Sequence, residues 1–266
     1  HLRDYFEDPL LIREGNQLLL SARAQLLKPQ VQAILDDIQL LKLDLGFDPT
    51  RCDRRFSFAC TDYVAQFIFP EVLAQLRIDA PSIDIRFQVW QPQQMDNLGQ
   101  LPLDLVSTML NQVPDNLYGI HLGRDRSVCM MASDHPLAEL EAPTLEALLQ
   151  QSFVQVSSGG DKDSFFDHYL REQKLSRRIS YSVPFFSAAF SAVADSQLLM
   201  VVPEHIALNA GRTYPLTCKA LPMTAPEHNY YLLWHAVHQQ DPAHRWVREL
   251  IAAVMSRSIY SPYENE

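Results

Sequence analysis

The spacing of apolar positions changes in a regular order along the chain. A short apolar stretch broken by Gly15 and Asn16 comes first. Leu27, Val31, Ile34, Ile38 and Leu41 then alternate spacings of four and three, with Gln30, Gln32, Asp36, Asp37 and Gln39 between them. This predicts a long helix with a heptad-like seam. A stripe of that length with no local partner points to helix pairing in a dimer, with docking onto its own domain as the alternative. Pro29 lies inside it, so the helix either kinks there or restarts at Lys28. The polar, turn-rich run GFDPTRCDRR reads as a linker.

Strand and helix patterns alternate after the linker. RFSFAC, TDYVAQFIFPEVLAQLRIDAP and SIDIRFQVW form a β-α-β unit, extended by a short helix near 93–98 and the strand LDLVST. Such alternation implies a parallel sheet with helices on its faces. A strand through RSVCMMAS precedes a second round: a helix at 144–151, FVQVSS, a helix at about 163–175, RRISYSV, the helix PFFSAAFSAVADS, LLMVV and a short helix from Pro203. The strand NYYLLWHA and an amphipathic helix over about 242–258 close the chain. Two α/β halves therefore follow a helix.

Composition narrows the function. The chain has 266 residues with 22 basic against 32 acidic side chains, a formal charge of −10. Such a balance opposes nonspecific grip on polyphosphate, which needs neutralising Lys and Arg. The scattered Cys52, Cys60, Cys129 and Cys218 show no metal spacing, so buried thiols in a reducing, cytoplasmic setting are expected. No apolar run is long enough for a membrane span, and no secretion signal is visible.

Candidate chemistry concentrates at strand ends. Cys60 lies where a strand hands over to a helix, but no GxSxG or Cys–His signature accompanies it, so a small residue filling a tight turn is preferred to a nucleophile. HAVHQQDPAH brings His235, His238, Asp241 and His244 together, yet the spacing fits no zinc motif and straddles a strand-to-helix turn. No metal or cofactor is expected. SSGGDK lacks the GK[ST] ending of a P-loop. Ligands of open α/β sheets sit outside the carboxyl ends of strands. Two halves facing each other would then form a cleft rimmed by Thr61, Ser107, Thr108, Ser157 and Ser158, with Phe185 and Phe186 nearby, suited to a small, partly apolar ligand. Strand ends that hold no ligand are the alternative.

DYFEDPLLIREGNQLLLSARAQLL resembles the end of the winged helix-turn-helix and the start of the linker helix in LysR-type transcriptional regulators. RFSFACTDYVAQFIFPEVLAQLRIDAP resembles the first strand and helix of that family's effector-binding domain. LPLDLVST, ASDHPLA and the segment 193–203 resemble later landmarks in the same order. FDPTRCDRRFSFACTD, VPFF and LLWHAVHQQDPAHRWVREL look closest to the NodD-, NahR- and LeuO-like branch, where proline occurs in the linker helix.

The resemblance implies an α/β fold in which a linker helix is followed by two Rossmann-like subdomains of periplasmic-binding-protein type. The expected parts are a wing remnant (1–20), a dimerisation helix (21–45), a linker (46–54), subdomain I (55–131 with 233–260) and subdomain II (132–232). Most of the DNA-binding domain is expected to lie upstream of His1. The implied effector contacts are Cys60, Thr61, Asp62, Ser107, Thr108, Met109, Ser157, Ser158, Gly159, Asp163, Phe185 and Phe186. Leu27, Val31, Ile34, Ile38 and Leu41 would pair the helices of a homodimer or homotetramer. Asp163 and Phe185 stand where aromatic-acid-responsive members place histidines, so the effector, an organic or aromatic acid, does not transfer unchanged. DNA is the other expected partner and a membrane is not. The competing class is a free-standing solute-binding module of periplasmic type; an enzyme is not expected.

Overall fold

A computed structural model describes residues 1–42, 47–157 and 164–259, without the side chains of 39–42, 164, 258 and 259. The chain divides into two compact units, His1–Phe47 and Asp48–Glu266.

In the first unit a short helix α1 (Leu2–Phe6) precedes a hairpin of β1 (Leu11–Glu14) and β2 (Gln17–Leu20). Gly15, at φ +62, supplies the left-handed residue of its tight turn. Ser21 ends the hairpin and caps the next helix: its hydroxyl accepts from Ala24 N–H at 3.0 Å and donates to Asp8 at 2.5 Å. That helix, α2 (Ala22–Lys42), runs without interruption through Pro29, neither ending nor restarting at Lys28. Its seam is open: Val31, Ile34 and Ile38 are 49%, 58% and 43% exposed and Leu27 is half-buried. The Leu41 side chain lies outside the described residues.

The second unit holds two sheets that share one strand. The first has the order β4 (Asp84–Val89), β3 (Arg55–Cys60), β5 (Leu105–Met109), β11 (Glu227–His235) and β6 (Leu117–Ala132). Helices α3 (Asp62–Phe67) and α4 (Phe69–Asp79) link β3 to β4, and a 3-10 segment, Pro92–Gln100, leads from β4 towards β5. Beyond Arg126 the sixteen-residue β6 enters the second sheet, pairing with β9 (Met200–Pro203) on one side and β10 (Leu216–Ala220) on the other. β7 (Ser152–Val156), parallel to β8 (Arg178–Val183), joins through Val154 N–H to the Leu199 carbonyl at 2.8 Å. Helices α5 (Leu145–Leu149), α6 (Ser164–Glu172), α7 (Phe186–Ala194) and α8 (Glu204–Ala210) connect these strands. The closing α9 (Pro242–Ile259) contacts β6 and α4.

Three features depart from the strand pattern read in the sequence. The first sheet is mixed rather than parallel: β3 runs parallel to β4 and β5, but β11 runs antiparallel to both of its neighbours, β5 and β6. β6 begins at Leu117, not near Arg126; the charged Arg124–Asp125–Arg126 interrupt its apolar pattern without interrupting its ladder. β10, LTCKA, has mostly half-buried side chains and so offered no clear alternation.

Each sheet has its own core. Phe58 packs on Phe69 and Phe87 at 4.7 and 5.4 Å, beside a cluster of Ala59, Trp90, Leu103, Val106 and Leu233. In the second, Phe153, Phe166, Leu170, Leu199 and Val201 are buried together. Burying a side chain of this size contributes roughly 1.5–3 kcal/mol.

Candidate functional site

The carboxyl ends of β4 and β5 open onto a cavity of about 520 Å³. Pro92, Met95, Thr108, Met109, Leu110 and Asn111 line it from the first sheet and its connections. Phe165 of α6 faces them from the second, and Pro226, Glu227, His228 and Asn229 close it where β11 crosses between the sheets. Strand ends leave backbone groups outside the ladder, so these positions can present several polar groups to one ligand.

Three of the polar walls are tied to the neighbouring β6. His228 Nε2 lies 3.0 Å from Ser127 Oγ, His121 Nε2 lies 3.2 Å from Asn229 Oδ1, and Arg124 pairs with Glu227 at 3.2 Å. Met95, Met109, Leu110 and Phe165 supply apolar wall. The cavity therefore combines hydrogen-bonding groups with a polarizable surface and suits a small organic ligand. A second hollow, about 550 Å³, is formed by Leu145, Glu146, Leu149, Gln150 and Leu175. It offers few polar groups and no strand ends.

The expected contacts distribute unevenly. Thr108 and Met109 line the cavity, whereas Cys60 and Ser107 are buried within the sheet. Thr61 is buried at the start of α3. Asp62 and Phe186 meet each other: Phe186 and Ser187 N–H donate to the two Asp62 oxygens at 2.9 and 3.1 Å. Phe185 is exposed and Ser157 directly follows β7, its N–H bonded to the Val183 carbonyl at 2.8 Å. Ser158, Gly159 and Asp163 lie outside the described residues. Asn111, Phe165, His228 and Asn229 were not expected. Asn229 opens NYYLLWHA and His228 directly precedes it, and the passage of the chain between two halves at that strand was the signal that could have marked them.

The histidine-rich segment folds inward. His238 and His244 stack at 4.9 Å, and with Asp104 they bring possible ligand atoms within 4.8 Å of one another. The nitrogens of His244 are already committed: Nε2–H donates to the Asp104 carbonyl at 2.9 Å, and Nδ1 faces Arg248 Nη1 at 3.3 Å. The adjacent guanidinium repels a cation, so this cluster anchors α9. Burial, together with the nearby His238 and Arg248, holds the His244 pKa below its ordinary value despite the opposing carbonyl bond. Burial raises Asp241, but hydrogen bonds from Arg54 and from the His244 and Ala243 amides outweigh it and hold that carboxyl below the usual range. The buried Cys129 thiol is pushed up to about 12, chiefly by desolvation, which leaves it unreactive. Among the described residues no helix is long and apolar enough to cross a membrane.

Comparison with known proteins agrees with this architecture. Nodulation protein D 2 of Rhizobium tropici is 28% identical over 257 residues, covering 94% of this chain and 80% of its own length. The HTH-type transcriptional activator NahR of Pseudomonas putida is 27% identical over 253 residues, covering 94% and 84%. A solved structure described as a "probable transcriptional regulator" from Pseudomonas aeruginosa matches with a TM-score of 0.66 at 26% identity, over 94% of this chain and 83% of that one. The family model for the LysR substrate binding domain matches residues 52–256. The chain belongs to the LysR family of transcriptional regulators, and the two-sheet unit is its effector-binding domain.

Proposed function

We propose that the cavity at the ends of β4 and β5 is the effector site, and that its occupant is a small, partly apolar organic molecule such as an organic or aromatic acid. The observation that carries this is the meeting of Thr108 and Asn111 from one sheet, Phe165 from the other and Asn229 from the crossing strand around one space. A ligand touching both halves favours one mutual arrangement, and it shifts the protein only by its differential affinity for the two states. Tenfold preference corresponds to about 1.4 kcal/mol. Helix α2 transmits that shift by pairing with a second copy along Leu27, Val31, Ile34 and Ile38, and DNA is contacted through a winged helix-turn-helix associated with the β1–β2 hairpin.

The test is a thermal-shift screen of organic and aromatic acids followed by calorimetry on the hits. Thr108→Ala should weaken a hit by roughly tenfold, the cost of one lost hydrogen bond of about 1 kcal/mol or somewhat more, with the unfolding temperature of the unliganded protein unchanged. A hit whose affinity is the same in Thr108→Ala and Phe165→Ala would place the effector elsewhere.

A further inference from the structure

Asp62 and Tyr63, the first two residues of α3, both reach from the first sheet's half of the domain to the other half. The Asp62 carboxylate accepts Phe186 N–H at 2.9 Å, Ser187 N–H at 3.1 Å and the Ser187 hydroxyl at 3.2 Å, so it occupies the start of α7 as an N-terminal anion would. Next to it, Asn209 of α8 donates to the Tyr63 hydroxyl at 2.6 Å. The Tyr63 ring is almost fully buried, edge-on to Phe186 at 6.2 Å and to His205 at 5.6 Å. Desolvation of this ring raises the phenol pKa far enough that the hydroxyl stays protonated at any physiological pH.

We propose that Asp62 and Tyr63 form a clasp that holds the two halves of the domain together. The geometry distinguishes this from an ordinary cap. A local cap comes from the residue just before its helix, whereas Asp62 is more than a hundred residues from α7 and belongs to the opposite half. The chain passes between the halves along β6 and in the segment between β10 and β11, and neither crossing fixes α3 against α7. Charge-assisted bonds of this kind are stronger than neutral ones and directional. The clasp therefore sets the separation at which Thr108 and Phe165 face each other across the cavity. An anion entering at the start of α7 must displace Asp62, so such a ligand opens the clasp rather than adding to it. This role rests on the effector reading only for its biological purpose; the clasp itself is tested without ligand.

The experiment compares the full chain with Asp62→Ala, Asp62→Asn and Asn209→Ala by amide hydrogen exchange and small-angle X-ray scattering. In Asp62→Ala, exchange in the first turn of α7 should rise at least tenfold. Exchange in the facing segments of α3 and α8 should rise with it and the radius of gyration should increase, while β3 and β9 keep their protection. Asn209→Ala should loosen α3 and α8 and leave the α7 amides protected, and Asp62→Asn should fall between wild type and Asp62→Ala. Faster exchange confined to the first turn of α7, with an unchanged radius of gyration, would reduce Asp62 to a cap and overturn the clasp. If Asp62→Ala does not fold, wild-type behaviour in both milder variants overturns it equally. A failed effector screen bears on the cavity alone.

Discussion

At the residue scale, the root of α9 shows how one buried histidine makes stability depend on pH. His244 is fully buried against Phe56 and Trp234, with Arg248 stacked over the Trp234 ring at 4.4 Å. Its folded-state pKa lies below the unfolded value, so the unfolded chain takes up the proton first as pH falls. The contribution is complete above about pH 6.5 and is lost progressively below it. His135, also lowered by burial, adds to the same slope. Urea unfolding should give a constant midpoint from pH 8 to 7 and a declining one below pH 6.5. His244→Gln should lower stability at pH 7.5 but flatten that decline; a variant with the wild-type slope would show that the titration lies elsewhere.

At the element scale, α2 carries an imperfection that its sequence announces. Pro29 removes the amide that would bond to the Gln25 carbonyl, yet the helix continues to Lys42. An interior proline costs as much as ~3 kcal/mol relative to alanine, so Pro29→Ala should raise helix content and delay melting of this segment in far-ultraviolet circular dichroism. An unaltered melt would mean that the bond at Gln25 is replaced by another. The apolar stripe from Val31 to Ile38 was legible because its 3.5-residue spacing is a local property. Of the two readings at Pro29, a kink or a restart at Lys28, the restart is not met, because one lost bond does not stop the cooperative continuation of a capped helix.

On the scale of the whole molecule, the two sheets depend on β6, which belongs to both. Its register against β11 shifts between Tyr230 and Tyr231, and Gly123 at this bulge has φ 151, where a side chain is strained. The bulge lies just before the strand leaves the first sheet beyond Arg126. Gly123→Ala should destabilise the domain by about 1–3 kcal/mol, measured by urea unfolding; a neutral result would show that the strand can rebuild its ladder without the bulge.

The sequence by itself determined most of the elements, because apolar periodicity, turn residues and caps act over a few positions; the two-lobed architecture was implied by the resemblance to LysR-type regulators. RFSFAC, the seam of α2 and the Asp-Pro start of α9 are all read locally. Only the tertiary structure decided what meets across the cleft. Thr61, Asp62, Ser107 and Thr108 look alike in the chain, as polar residues at or beside strand ends, yet Thr108 lines the cavity while Asp62 binds α7. Phe165, His228 and Asn229 join the same cavity from distant segments. That choice depends on the bulge and crossing of β6 and β11, a long-range geometry that no local spacing encodes.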